Sequence, residues 1–231
     1  MIHGHAHRRY VTRIVIGGVC IAGSMYGLVV LMNSVFSLQS VEVVGTEITI
    51  EINKKLLNTN LLFIPADQLR NQILKDHVLL SDVEIQKKYP HTIRIIPQLR
   101  LPIARLRTQE RIVLVDKDGW IVGDADGLTK LPILEFDIGE VYAGMQIKDA
   151  RVISSLSFLT NIPDDVLVER ITTLDNASLR VRYDRIDIYI PQSGDMKEVG
   201  ATLQTLRTGF RIKGKLPAIV DLRFDKPVVT F

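Results

Sequence analysis

Residues 14–32 form a run of nineteen residues with no charged side chain and no proline. At ~1.5 Å of rise per helical residue the run spans roughly 28 Å, close to the hydrocarbon thickness of a bilayer. Arg8, Arg9 and Arg13 precede it, and the next charged residue is Glu42. Basic flanks stay on the cytoplasmic side. The pattern therefore predicts a cytoplasmic tail at 1–13, one lipid-facing transmembrane helix at 14–36, and the rest of the chain outside the cytoplasm. A cleavable signal sequence has a shorter apolar stretch that ends in small residues. Here the run passes into Asn33-Ser34-Val35-Phe36-Ser37 with no such site, so the helix is expected to stay as an anchor. A buried soluble helix would be apolar along one stripe, not all round. Gly17, Gly18, Gly23 and Gly27 also suit a membrane helix better than a soluble one. The Gly23/Gly27 pair fits G-x-x-x-G, which membrane composition explains as well as helix pairing does.

Charge narrows the partners. The chain has 29 basic and 26 acidic residues, a formal net charge of +3. All the acidic residues lie after residue 41, and three of the basic ones precede the apolar run, so the outer part carries 26 of each sign. A nucleic-acid-binding domain would carry a basic surplus, and no nucleic-acid partner is expected. The one cysteine, Cys20, lies inside the apolar run. The outer part must then fold on its apolar core without a disulfide, for which about 190 residues suffice.

Hydrophobic periodicity predicts the elements of the outer part. Val41-Glu42-Val43-Val44-Gly45 alternates and ends at glycine, a strand followed by a turn. Residues 49–57 read as a helix with Ile52, Leu56 and Leu57 on its apolar face. Pro65 suits the first turn of a second helix, with Asp67 near its positive end and Leu69, Ile73 and Leu74 inward. Val83-Glu84-Ile85 and Ile93-Arg94-Ile95 alternate as strands on either side of Tyr89-Pro90-His91, the second stopping before Pro97. The order over 38–101 is strand, helix, helix, strand, strand, and its expected core includes Val43, Ile52, Leu69, Ile73 and Ile95.

After Pro102 strands dominate. Residues 112–115 and Trp120-Ile121-Val122 flank the turn Asp116-Lys117-Asp118-Gly119, a hairpin signature. Residues 179–183 and 186–190 flank Asp184-Arg185 in a second hairpin. Two helices are expected: one capped by Asp149 and carrying Val152, Ile153, Leu156 and Leu159, the other over 197–208 with Val199, Leu203 and Leu206. Residues 218–224 and 228–231 are further strand-like runs. The class is α+β, with much antiparallel sheet.

Few residues point to chemistry. Asp116, Asp118, Asp124 and Asp126 with Gly119 and Gly127 superficially suggest calcium. An EF-hand loop needs oxygen ligands at its first, third and fifth positions and glycine at the sixth. Counted from Asp116 the fourth is glycine and the fifth tryptophan; counted from Asp124 the fifth is leucine. Solvated turns account for these residues better, and no metal or other cofactor is expected. His3, His5 and His7 read as a hydrophilic tip. No G-x-S-x-G elbow, H-E-x-x-H helix or P-loop pattern occurs, and no catalytic residue is assigned.

Several pieces, in order, resemble the FtsQ/DivIB family of bacterial cell-division membrane proteins. They are Val41-Glu42-Val43-Val44-Gly45 behind a single anchor, Tyr89-Pro90-His91-Thr92-Ile93-Arg94-Ile95, Pro102-Ile103-Ala104, Val113-Leu114-Val115-Asp116 with Asp118-Gly119, Leu131-Pro132-Ile133-Leu134, and Val220-Asp221-Leu222-Arg223-Phe224. The resemblance spans roughly residues 10–231. It implies a POTRA domain (βααββ) at 38–101 and an FtsQ-type β domain at 102–231. It implies a non-enzymatic scaffold in the cytoplasmic membrane at the division septum. The implied partners are FtsB-like (DivIC-like) and FtsL-like proteins and, indirectly, the septal peptidoglycan synthase complex. It puts the partner site at the C-terminal edge, on Leu222, Arg223, Phe224, Lys226, Val228, Val229 and Phe231. The sequence departs from the family at Leu99-Arg100-Leu101-Pro102, which keeps the arginine of a glutamate-arginine pair and lacks the acid. Other readings of the same elements are a POTRA module for protein translocation or assembly, or an anchored cell-wall hydrolase.

Overall fold

The computed structural model describes residues 4–45, 57–125, 130–163 and 165–231. The expected helix over 49–57, with Ile52 and Leu56, lies mostly outside the described residues; Leu57 is described and exposed. The chain is α+β and divides into two compact units, Met1–Leu99 and Arg100–Phe231.

The first unit begins with α1, Gly4–Val35, a helix of 32 residues. Its window Gly18–Val35 is long and apolar enough to cross a membrane, and none of that window is buried within the protein. The helix passes directly into the fold. Phe36 donates its N–H to Met32 and accepts from the Leu61 N–H at 2.7 Å. The Asn33 and Asn60 side chains bond at 2.7 Å, Phe36 meets Tyr89 edge-on at 6.0 Å, and Leu38 is fully buried.

Three strands follow, β1 (Ser40–Val43), β2 (Leu80–Lys88) and β3 (Thr92–Leu99), with α2 (Ala66–Asp76) between the first two. The sheet order is β1-β3-β2, with β1 parallel and β2 antiparallel to β3. Leu69 and Ile73 of α2 pack with Leu61, Leu80, Val83, Ile93 and Ile95. Pro65 is the residue before α2 rather than its first turn, and Asp67 sits in that turn as expected. Two expectations need correction. Val43 is 36% exposed, because β1 pairs on one side only and Val41 is the residue that packs inward. And β3 runs through Pro97 to Leu99, since β1 has ended by then. Among the described residues the last main-chain bond from that side goes from Val44 to Ile95, so the donor that Pro97 lacks meets no described strand there.

The second unit is built on nine strands: β4 (Pro102–Arg107), β5 (Ile112–Asp116), β6 (Ile121–Asp124), β7 (Ile133–Glu135), β8 (Val168–Asp175), β9 (Ser178–Tyr183), β10 (Ile186–Pro191), β11 (Ile219–Asp221) and β12 (Val228–Thr230). They form one mixed sheet, order β12-β11-β10-β9-β8-β7-β4-β5-β6. Pairing is antiparallel except between β4 and β7, β7 and β8, and β10 and β11. Both predicted hairpins are present, as β5–β6 and β9–β10. Leu106, Leu134, Ile171, Val181, Ile188 and Val220 stand opposite one another across six strands, each at most 1% exposed. This row meets α3 (Ala150–Asn161) and α4 (Met196–Lys213) in one core.

Asp149 caps α3 by accepting from the Arg151 N–H at 2.9 Å, as the sequence predicts. The buried face of α3 is Val152, Leu156 and Phe158, whereas Ile153 is on the exposed side. Helix α4 runs further than predicted and adds Phe210 to the core. At Gly200 the two helices come so close that a Cβ would collide with the Asn161 carbonyl oxygen.

Candidate functional site

The C-terminal edge is made by three pieces. β11 pairs parallel to β10, the chain reverses over residues 222–227, and β12 returns antiparallel to β11 as the last strand of the sheet. The expected strand over 218–224 is thus only three residues long. It stops because the Asp221 side chain folds the next two residues back onto itself. The carboxylate accepts from the Arg223 N–H at 3.1 Å and from the guanidinium at 2.6–3.1 Å.

Arg223, half-buried, ties several groups of the edge together. Besides Asp221 it reaches Asp175 at 3.4 Å and lies over the rings of Tyr189 and Phe224, 5.5 and 5.4 Å from their centroids. The hydrogen bonds from Arg223 hold the Asp221 carboxyl below its ordinary range, against the opposing effect of burial. The same bond raises the Arg223 guanidinium further. Leu222 is 5% exposed and packs in the core, and its N–H bonds Tyr189. Its side chain is therefore mostly buried rather than at the surface, although it reaches the lining of the cavity beside Phe224.

The remaining predicted residues lie together at the surface. Phe224 is 62% exposed, Val228 and Phe231 are 56% and 55% exposed, and Lys226 is exposed beside them in sequence. Val229 is half-buried against the core. Phe231 meets Phe210 edge-on at 6.3 Å, and Lys215 lies 4.6 Å above its ring. The Thr230 carbonyl accepts from the Ala218 N–H at 2.8 Å, so it faces β11. Successive residues of a strand turn their main-chain groups to opposite sides. Val229 therefore offers its N–H and C=O at the open side. A cavity of about 170 Å³ opens next to this edge, lined in part by Phe224, Asp225, Asp195, Glu198 and Thr202. The arrangement can bind an added strand through main-chain hydrogen bonds and seat an apolar side chain beside Phe224.

The acidic residues noted in the sequence have structural roles. Asp116 is 3% exposed; its carboxylate accepts from the N–H groups of Asp118 and Trp120 at 3.0 and 2.8 Å and from Arg100 at 2.7 Å. It ties the β5–β6 turn. Gly119 completes that turn at φ +83°, where a Cβ would sit 2.7 Å from the Ile147 carbonyl oxygen. Asp124 reaches Arg111 at 3.4 Å, and Asp126 and Gly127 lie outside the described residues. Arg100 also lies 4.6 Å over the Trp120 ring. The arginine left without its neighbouring acid in the sequence is thus paired with an aspartate sixteen residues on. Sequence reasoning missed this pair, because only the fold of β4 against β5 brings it together.

No protein-family model and no curated protein sequence matches the chain. Among solved structures the chain is similar to the major extracytoplasmic domain, in its trans isomer, of the bacterial cell division protein DivIB from Geobacillus stearothermophilus. The identity is 12% and the TM-score 0.33, over 51% of this chain and 97% of that one.

Proposed function

We propose that this chain is a membrane-anchored binding protein of the bacterial division machinery. In this reading α1 holds it in the cytoplasmic membrane with its N-terminus inside, and both outer units lie outside the cytoplasm at the septum. The first unit serves as a POTRA domain. The second receives FtsB-like (DivIC-like) and FtsL-like single-pass proteins, and through them the chain helps control septal peptidoglycan synthesis. The motif order in the sequence, behind one apolar helix, supports the family. The observation that carries the binding role is the edge of β12, which no described strand covers. It bears no charge from Val228 to Phe231, and Phe224, Val228 and Phe231 are exposed along it. Natural sheets cover, bend or charge such edges unless a partner occupies them.

The test is a pull-down of FtsB-like and FtsL-like proteins by the full-length chain in detergent, with circular dichroism alongside. Val229→Pro removes an N–H that faces the open side, so folding should persist while capture is lost. Lys226→Glu reverses a charge beside the edge and should weaken capture. Undiminished capture by both folded variants would discard the edge-strand site.

A further inference from the structure

The face of the nine-stranded sheet opposite α3 and α4 carries a second surface. On each side of the buried row from Leu106 to Val220, the neighbouring residues point the other way. They include Arg105 and Arg107 on β4, Glu135 on β7, Arg170 on β8, Arg180 and Arg182 on β9, and Asp187 on β10. Glu135 ion-pairs with Arg107 and Arg170, one at each oxygen, at 3.1 Å. Asp187 accepts Arg180 on one oxygen and Arg182 on the other, the latter at 2.8 Å. Arg170 and Arg182 stand opposite each other in register, so the two groups adjoin.

In both groups one carboxylate serves two guanidinium groups. The carboxylates lie low, with side chains 19% and 11% exposed, while the four arginines above them are 40–54% exposed. A guanidinium has five donors in a fixed fork, so a single contact to a shared carboxylate leaves others directed outward. Each group keeps a net positive charge. The outer part of the chain is neutral overall, so this surplus is a local arrangement and not general basicity.

We propose that this face is a docking surface for an extended acidic segment of a partner protein. The spacing favours a peptide. Arg105 and Arg107, like Arg180 and Arg182, are two residues apart on a strand, about 6.8 Å. An extended chain with carboxylates at alternate positions repeats at the same distance. The arginines stand on β4, β8 and β9, three strand spacings from end to end or roughly 14 Å, enough to hold two or three such carboxylates in bidentate contacts. This surface lies across the middle of the sheet, whereas the proposed strand-addition site is at its end, so the two can fail separately.

The experiment uses the full chain in a nonionic detergent. The probe is a fluorescein-labelled peptide of roughly eight alternating glutamates and serines, ~26 Å when extended, followed by fluorescence anisotropy. Saturable binding is expected, weakened about fivefold or more in the Arg170→Gln/Arg182→Gln double variant and unchanged in Arg211→Gln on α4. It should fade toward ~1 M salt, where screening acts within about 3 Å. Bound peptide should also protect Arg107, Arg170, Arg180 and Arg182 of the unaltered chain from phenylglyoxal, read by mass spectrometry. That readout decides the matter if the double variant fails to fold. Absent saturable binding, equal binding of a lysine-serine peptide, equal affinity in the folded double variant, or no protection of these arginines would each overturn the proposal. Preference for inorganic polyphosphate over the peptide would overturn it in favour of a phosphate polymer.

Discussion

At the residue scale, the buried polar groups make the sharpest predictions. Asp116 holds two main-chain N–H groups and Arg100 at once, with side chains only 4% and 11% exposed. Removing one partner of a buried pair leaves the other uncompensated. Asp116→Ala should therefore lower the unfolding free energy by about 3–5 kcal/mol, read by chemical denaturation of the full chain in detergent. A decrease below about 1 kcal/mol, the scale of an exposed pair, would contradict the role given to it. Asp187 and Asp221 contribute to the acid response, together with Asp149, which Arg151 holds low. Burial raises the carboxyl of Asp187, but the hydrogen bonds from Arg180 and Arg182 outweigh it and the net shift is downward. Asp221 is lowered chiefly by Arg223. A carboxyl depressed in the folded state stabilises above its unfolded value, and that stability is lost as pH falls through the folded one. The chain should thus weaken progressively below the ordinary aspartate range. Asp187→Asn should flatten the acid limb of a stability-against-pH curve; an unchanged slope would remove Asp187 from this account.

At the element scale, α2 tests the packing of the first unit. Leu69 is 7% exposed in the cluster with Ile73, Leu80 and Ile95. Leu69→Ala should destabilise that unit by about 2–5 kcal/mol, seen as a lower midpoint for its unfolding transition, while an unshifted midpoint would mean the stripe is not buried. The stripe is legible in the sequence because a helix repeats its own face every three or four residues. So are the two hairpins, whose turn residues lie between alternating runs. The short strand β7 and the strand β8 are not, since Ile133–Glu135 is too brief to show a period and residues 168–175 mix polar and apolar residues on a sheet they cross in the middle. Periodicity finds helix α3 with its cap, but it places Ile153 inward and passes over Phe158. Helical spacing allows either face, and the packing against β4 and β8 selects one. The site is legible by position and not by detail. Phe224, Val228 and Phe231 are at the surface, whereas Leu222 packs into the core. The arginine grid is invisible in the sequence, because it needs the register of five strands separated by up to eighty residues.

At the scale of the whole molecule, the prediction concerns which side of the membrane each part occupies. Arg8, Arg9 and Arg13 precede an apolar helix, and the flank rule puts them inside. With Cys20→Ser as background, a cysteine at Ser40 should react with an impermeant maleimide in spheroplasts, and one at Ala6 should not. The reverse pattern would overturn the topology and with it the proposed division role. Loss of the first 37 residues from the mature protein, read by mass spectrometry, would overturn the retained anchor.

The passage from α1 into the first unit has a mechanical meaning. Phe36 is held by Met32 behind it and Leu61 ahead of it, Asn33 is bonded to Asn60, and Leu38 is already sealed in the core. These contacts leave little slack between the helix and the rest of the first unit. The helix and the rest of that unit should therefore act as one lever through the junction, so that a pull on the outer end tilts the helix rather than stretching a tether. Gly-Ser residues inserted between Val35 and Phe36 would turn the lever into a leash, leaving both folds intact while uncoupling the angle of one from the other.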